Sequence, residues 1–219
     1  MHTFVSWSGG KDSCLAYCRA LKLGLDISFL FTMLEENGLR SRSHGVPVEV
    51  LKQQAESLGV PIVFGKASWK EYEGEFRKVL KELKHSEGVE GGVFGDINLP
   101  EHKAWVEKVC NGVGVSAFEP LWNENYEKLF SEFLDSGFEA IIVNVKAGLV
   151  GEEWLGQRIS WEFRDHLKNL KIDLFGENGE YHSLTVYGPT FKKRIRILKS
   201  QKTFRDGYCF LDISRTNLQ

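Results

Sequence analysis

Apolar and polar positions alternate between two periods along the first half of the chain. Thr3 to Trp7 is a short run of β-branched and aromatic residues, which predicts a strand. Cys14, Leu15, Cys18 and Leu21 then recur at helical spacing from Ser13 to Leu23, and Gly24 stands where a helix stop is expected. The exchange repeats, with strands over 25–34, 61–67, 91–97 and 116–122 and helices over 47–59, 70–84 and 99–114. Such alternation predicts an α/β fold, a parallel sheet with helices on both faces, whose ligands bind at the carboxyl ends of the strands. After Pro120 the pattern changes to a helix (125–136), a strand (138–147), a helix near 160–170 and then strands and turns. The expected division is a first domain over 1–120 and a smaller α+β domain over 121–219, packed over the first.

The junction between the first strand and the first helix reads "SWSGGKDSC". Gly9 and Gly10 let the backbone turn tightly and approach a ligand. Asp12 or Ser13 is placed to cap the helix, and Ser8, Ser13 and the Lys11 ammonium are expected to converge at its N-terminus. Helix amides, hydroxyls and a cation at one point make an anion site, best suited to phosphate. The Walker pattern fails, because Val5 stands where its first glycine belongs and Asp12 follows Lys11. The dinucleotide pattern also fails, because the glycines are adjacent and no third follows at its offset.

Composition narrows the class. With 42% hydrophobic and 26% charged residues in 219, the chain can bury a substantial core. A net charge of −2 gives no footprint for generic nucleic-acid binding. No apolar run is long enough to span a membrane, and the start "MHTFVSW" lacks the basic and apolar regions of a signal peptide. A cytoplasmic protein with no membrane partner is therefore expected. Cys14, Cys18, Cys110 and Cys209 form no C-x-x-C pair; Cys14 and Cys18 read as packing on one helix face.

Two later segments carry candidate chemistry. In Gly95-Asp96-Ile97, at the end of a predicted strand, the glycine permits close approach of a ligand and the carboxylate can hold Mg²⁺ or orient a substrate. "GENGEYHSLTVYGP" places Glu177, Glu180 and His182 within six positions, a set able to bind a cation, receive an amine or move a proton. From Thr190 to Arg205 the chain carries seven basic residues and no acid. Such a stretch either guards a sheet edge or docks an acidic partner.

Together, S-G-G-K-D-S at 8–13, G-D-I at 95–97, "EPLW" at 119–122 and G-E-x-G-E-Y-H at 176–182 resemble the diphthine–ammonia ligase family of the PP-loop ATP pyrophosphatase superfamily. The resemblance runs from about residue 3 to 198. It implies a HUP/PP-loop, Rossmann-like first domain that binds ATP, and a C-terminal substrate domain. It also implies ATP and Mg²⁺ as cofactors and an adenylated carboxylate, with AMP and pyrophosphate released as ammonia forms an amide. The implied substrate is diphthine on elongation factor two. Ser8, Gly9, Gly10, Lys11, Asp12, Ser13, Met33, His44 and Gly95 are the implied nucleotide contacts, and Asp12 and Asp96 the metal ligands. Lys11, Glu177, Glu180 and His182 are the implied catalytic set. No glutaminase domain fits beside the two domains in 219 residues, so free ammonium is the expected donor. A small-molecule carboxylate, RNA thiolation and an ATP-holding sensor stand as alternatives, and a homodimer is left open.

Overall fold

Two sheets carry the chain in the computed structural model, which describes residues 1–219. The first is parallel and consists of β1 (His2–Ser6), β2 (Asp26–Leu34), β3 (Ile62–Lys66), β4 (Gly91–Val93) and β5 (Ser116–Phe118), in the order β3-β2-β1-β4-β5. Helices α1 (Lys11–Lys22), α2 (Val48–Leu58), α3 (Tyr72–Glu87) and α4 (Pro100–Asn111) connect them. The expected α/β alternation is present element by element. Two strands are shorter than their apolar runs. β4 stops at Val93, short of the expected 97, and β5 stops at Phe118, where Pro120 follows without an N–H to continue a ladder. β1 has β2 on one side and β4 on the other. The chain reverses its direction of winding there, and the carboxyl ends of β1 and β4 splay into a crevice.

The second sheet is antiparallel. It consists of β6 (Glu139–Lys146), β7 (Tyr181–Tyr187), β8 (Ile195–Arg205) and β9 (Tyr208–Leu218), in the order β7-β6-β9-β8. Helix α5 (Tyr126–Asp135) precedes it and α6 (Trp161–Asn169) crosses between β6 and β7. Asn125 and Ser160 cap these helices, accepting from the Lys128 and Phe163 amides. β8 and β9 form a long hairpin through Asp206 (φ 51°) and Gly207 (φ 79°), the two consecutive left-handed residues that a tight hairpin turn requires. β8 is an edge strand, and part of the basic character of the 190–205 stretch is used within the chain. Lys193 and Arg194 pair with Glu56 and Glu139, and the Lys202 ammonium donates to the Glu152 carbonyl at 2.7 Å.

The sheets share a core. One cluster of 41 buried residues runs from Trp7, Leu15 and Leu51 to Phe130, Phe163 and Tyr181, so α1 and α2 pack against strands of both sheets. Phe4, Phe31, Phe76 and Val106 anchor a second cluster on the opposite face of the parallel sheet. Across the joint, Arg19 of α1 holds Glu132 of α5 at 2.5 Å and donates to the Pro120 carbonyl at 2.9 Å. No helix is long and apolar enough to cross a membrane.

Candidate active site

The crevice at the ends of β1 and β4 is a cleft of about 230 Å³. Its polar end is the β1–α1 loop. Gly9 has φ 79°, and Gly10 occupies the N-cap position of α1 with no side-chain cap. The expected cap by Asp12 or Ser13 is absent because the helix begins at Lys11, which puts both residues inside its first turn. Ser13 Oγ instead donates back to the Gly10 carbonyl at 3.1 Å and lies 3.2 Å from Ser8 Oγ. An uncapped helix start with two hydroxyls at its mouth leaves the positive end of the dipole to a ligand.

Lys11 departs from the expected convergence. It is 3% exposed and does not line the cleft. Its ammonium donates to the Phe175 carbonyl at 2.6 Å and lies 4.6 Å from the Tyr181 ring centroid, 3.2 Å from Asp12 Oδ2. A cation buried under the C-terminal sheet has found a carbonyl, a π face and a carboxylate there, and these replace water. Asp12 lines the cleft, and its Oδ1 is buried without a partner. Burial raises its pKa, opposed by Lys11.

Gly95 and Asp96 follow β4 into the same cleft. A Cβ at Gly95 would meet the Asp12 carbonyl carbon at 3.0 Å and the Ser13 nitrogen at 3.2 Å. The missing side chain therefore allows the segment after β4 and the start of α1 to approach, backbone to backbone. Asp96 accepts from His102 Nδ1 at 2.6 Å, and this bond raises the imidazole pKa. Asp12 and Asp96 are the two carboxylates facing the polar end of the cleft besides Glu177; no group of three or more metal-type side chains is preassembled.

Met33, at the end of β2, lines the apolar end with Phe31, Tyr72, Phe76 and Phe94. His44 lines the wall between, stacked on His182 with ring centroids 4.4 Å apart and Nδ1 3.3 Å from the Ser183 carbonyl. Burial, His182 and Lys11 hold His44 well below its usual pKa, and burial with Lys11 takes His182 down to about 4. Both imidazoles are neutral at pH 7.

The acidic loop is divided by the fold. Asp173 shapes it, accepting from the Phe175 amide at 2.9 Å and the Glu177 amide at 3.1 Å. Glu177 turns into the cleft, where Oε2 accepts from the Asn98 amide at 3.2 Å. Burial, with the Asp12 charge next in weight, pushes its pKa up to about 7. Glu180 does not line the cleft; its Oε2 closes a local turn on the Asn178 amide at 3.1 Å. His182 stands behind His44 rather than on the cleft wall.

Sequence reasoning missed the residues that hold this arrangement. Gln54, fully buried on α2, donates to the Gly9 carbonyl (2.9 Å) and the Thr185 carbonyl (2.7 Å) and accepts from Trp7 Nε1 (2.9 Å). On the free edge of β7, the Thr185 amide donates to Gly9 and Ser183 Oγ accepts from the Lys11 amide. The loop thus closes the edge of the second sheet. A signal for Gln54 was present: an amide on the same helical stripe as Val50, Leu51, Ala55 and Leu58. His102 carried none, since its pairing with Asp96 depends on how the loop from 94 to 99 folds back.

A PP-loop junction at the switch point of a parallel sheet, closed by a second α+β layer, defines the class: an ATP-dependent PP-loop ligase. Residues 1–117 match the family model described as the diphthamide synthase N-terminal domain, and residues 125–218 match the diphthamide synthase C-terminal domain. The chain belongs to the diphthamide synthase family. It is 28% identical to the diphthine–ammonia ligase of Rattus norvegicus, over 96% of this chain and 88% of that protein. Identity to the Homo sapiens diphthine–ammonia ligase is also 28%, covering 94% and 86%. The Schizosaccharomyces pombe diphthine–ammonia ligase matches at 28% over 86% of this chain but 34% of its own length. A solved structure described as a predicted subunit of tRNA methyltransferase from Methanocaldococcus jannaschii overlaps 85% of this chain and 96% of that one, at 19% identity and a TM-score of 0.45. At that score the overlap carries no argument. Family membership makes this chain a ligase-type enzyme.

Proposed function

We propose that the protein adenylates a carboxylate, that of diphthine on elongation factor two, and transfers ammonia to it with release of AMP and pyrophosphate. One observation carries the reading. A single cleft holds an uncapped helix start suited to phosphate and a carboxylate, Glu177, with a pKa of about 7. The substrate pair comes from the names of the curated relatives.

The Ser8 and Ser13 hydroxyls and the positive end of the α1 dipole would receive the triphosphate, and the Phe31, Met33 and Phe94 wall the adenine. His44, neutral, offers a hydrogen bond without adding charge. The orphaned Asp12 Oδ1 with Asp96 fits Mg²⁺, which is held by one or two carboxylates and completed by phosphate oxygens. Bound there, the ion would neutralise charge on the departing pyrophosphate. Lys11 acts by position: it grips the Phe175 carbonyl and so fixes the start of the acidic loop relative to α1.

A substrate carboxylate oxygen attacks the α phosphorus, the bond from phosphorus to the bridging oxygen breaks, and pyrophosphate leaves. The acyl carbon is now attached to a good leaving group. Bound ammonium gives one proton to Glu177, the ammonia nitrogen attacks the acyl carbon, the bond to AMP breaks, and the second proton shed by nitrogen passes to water. A carboxylate with a pKa near 7 is matched to that exchange at neutral pH. Glu180 and His182 support the loop and His44 from behind. Sulfur transfer has no support in these residues. All four cysteines are buried, and burial raises their thiols, Cys110 to about 12.

The test is to incubate the protein with ATP, Mg²⁺ and ammonium, with and without diphthine-bearing elongation factor. Release of AMP and pyrophosphate that depends on the factor supports the reading. Stoichiometric ADP and phosphate, or turnover indifferent to the factor, contradicts it.

A further inference from the structure

A second cavity, of about 490 Å³, opens beside the nucleotide cleft, and Arg42 and Ser43 line both. Its walls come from the two halves of the chain. Arg42 and Trp69 belong to the parallel-sheet part, and Arg205 and Phe210 to the β8–β9 hairpin. Each arginine is laid on an aromatic face. The Arg42 guanidinium carbon is 4.7 Å from the Trp69 centroid, and that of Arg205 is 4.0 Å from the Phe210 centroid. Gly45 makes the hairpin's approach possible, because a Cβ there would meet Arg205 Nη2 at 2.9 Å.

Neither guanidinium has an acid. Arg40, two residues before Arg42, is tied to Asp212. Arg42 and Arg205 make no ion pair, and Arg42 Nε is buried with no hydrogen-bond partner at all. A planar cation stacked on an aromatic ring keeps its edge free, and that edge presents paired N–H groups matched to a carboxylate. An orphaned buried donor is costly unless a ligand completes it. Glu35, Glu36 and Asp206 also line the cavity. These repel a polyanion, so the cavity is built against a second nucleotide and tolerates a single negative charge held between the arginines.

We infer that this cavity is the acceptor subsite, which takes the substrate's carboxylate between Arg42 and Arg205 and presents it to the nucleotide cleft across the shared Arg42–Ser43 wall. The inference rests on the proposed adenylation, in which a carboxylate must reach the nucleotide from outside. Trp69, 66% exposed at the mouth, is the entry-side face of the subsite.

Two measurements separate this inference from the reading beneath it. In steady-state turnover with diphthine-bearing elongation factor, Arg205→Ala and Arg42→Gln should each raise the KM for the factor at least tenfold. Arg205→Ala should leave ATP affinity within twofold, and Arg205→Lys should recover part of the loss. An unchanged KM in Arg205→Ala overturns the subsite even when wild-type turnover stands. The second measurement needs no turnover. Protein loaded with α,β-methylene-ATP is titrated with butyrate or with pyrophosphate, and fluorescence is read against a Trp69→Phe control that identifies the signal. A saturable Trp69 response to butyrate that weakens at least tenfold in Arg205→Ala supports the subsite, even where the factor proves not to be the substrate. No response to butyrate, or a stronger response to pyrophosphate, overturns it.

Discussion

The phosphate-type loop and the acidic loop line one cleft but are made in opposite ways. Residues 8–13 form their site from adjacent positions, with backbone amides, two hydroxyls and a helix dipole. Backbone amides and hydroxyls carry no proton that titrates near neutral pH. Residues 173–182 work through one side chain whose proton affinity is set by what the fold packs around it. The first site draws its ligand-facing groups from one turn and one helix start, with Gln54 and β7 bracing the backbone from behind. The second needs both sheets, because Asp12 and the Asn98 amide come from one half of the chain and Glu177 from the other. Binding is therefore assigned to the local site and proton transfer to the assembled one.

The largest expected effect tests that division. Glu177→Gln keeps the shape and loses the base, so ammonium-dependent amide formation should fall by about 10²–10⁴, the usual contribution of a positioned proton acceptor. ATP affinity, measured by calorimetry, should stay within twofold. A parallel loss of both would place Glu177 in the nucleotide site instead.

Next in size is the joint between the regions. Gln54→Ala leaves Trp7 Nε1 and the Gly9 and Thr185 carbonyls without partners in a dry interior. Unfolding in urea should show a loss of about 3 kcal/mol, from the cost of unsatisfied buried groups. A loss under about 0.5 kcal/mol, the usual range for surface positions, would mean that the loop does not depend on this amide.

Lys11→Met follows. It keeps the aliphatic stem but strips donors from the Phe175 carbonyl and Asp12 Oδ2, for about 2 kcal/mol of stability. ATP affinity should change by less than threefold. A tenfold loss of ATP affinity at unchanged stability would show that the ammonium leaves its buried site to meet phosphate.

The smallest effect is on stability against pH. Glu177 binds its proton more tightly folded, at about 7, than at the ordinary 4.5 of the unfolded chain. Its contribution is therefore fully present below pH 4.5 and is lost as pH rises through 7. After allowance for solvent screening the loss is about 1 kcal/mol. The depressed pKa values of His44 and His182 act in the opposite sense, since their contribution is lost as pH falls below 6.5. The difference between wild type and Glu177→Gln isolates the glutamate. A flat difference between pH 4.5 and 7 would contradict the raised pKa.

The two regions were also unequally legible in the sequence. The parallel sheet follows from contiguous apolar runs, and the loop from six adjacent letters, because strands and a helix start are set by near neighbours. The direction of Lys11 was not legible: its acceptor lies 164 residues away. For the same reason the G-E-x-G-E-Y-H segment read as one acidic cluster, although the fold sends Glu177 into the cleft and Glu180 into its own turn. The long β8–β9 hairpin was readable from Asp206-Gly207, a two-residue turn signal that the basic stretch before it obscured.

The most direct test of the division is a change of nucleophile. Ammonium must lose a proton before it attacks, whereas hydroxylamine is already neutral at pH 7 and can attack the acyl-adenylate without a base. Rates of amide and hydroxamate formation on diphthine-bearing elongation factor are compared in wild type and Glu177→Gln. The account predicts that the variant loses about 10²–10⁴ with ammonium and less than tenfold with hydroxylamine. Equal losses with both nucleophiles would contradict it, and would mean that Glu177 serves the adenylation step rather than the amine.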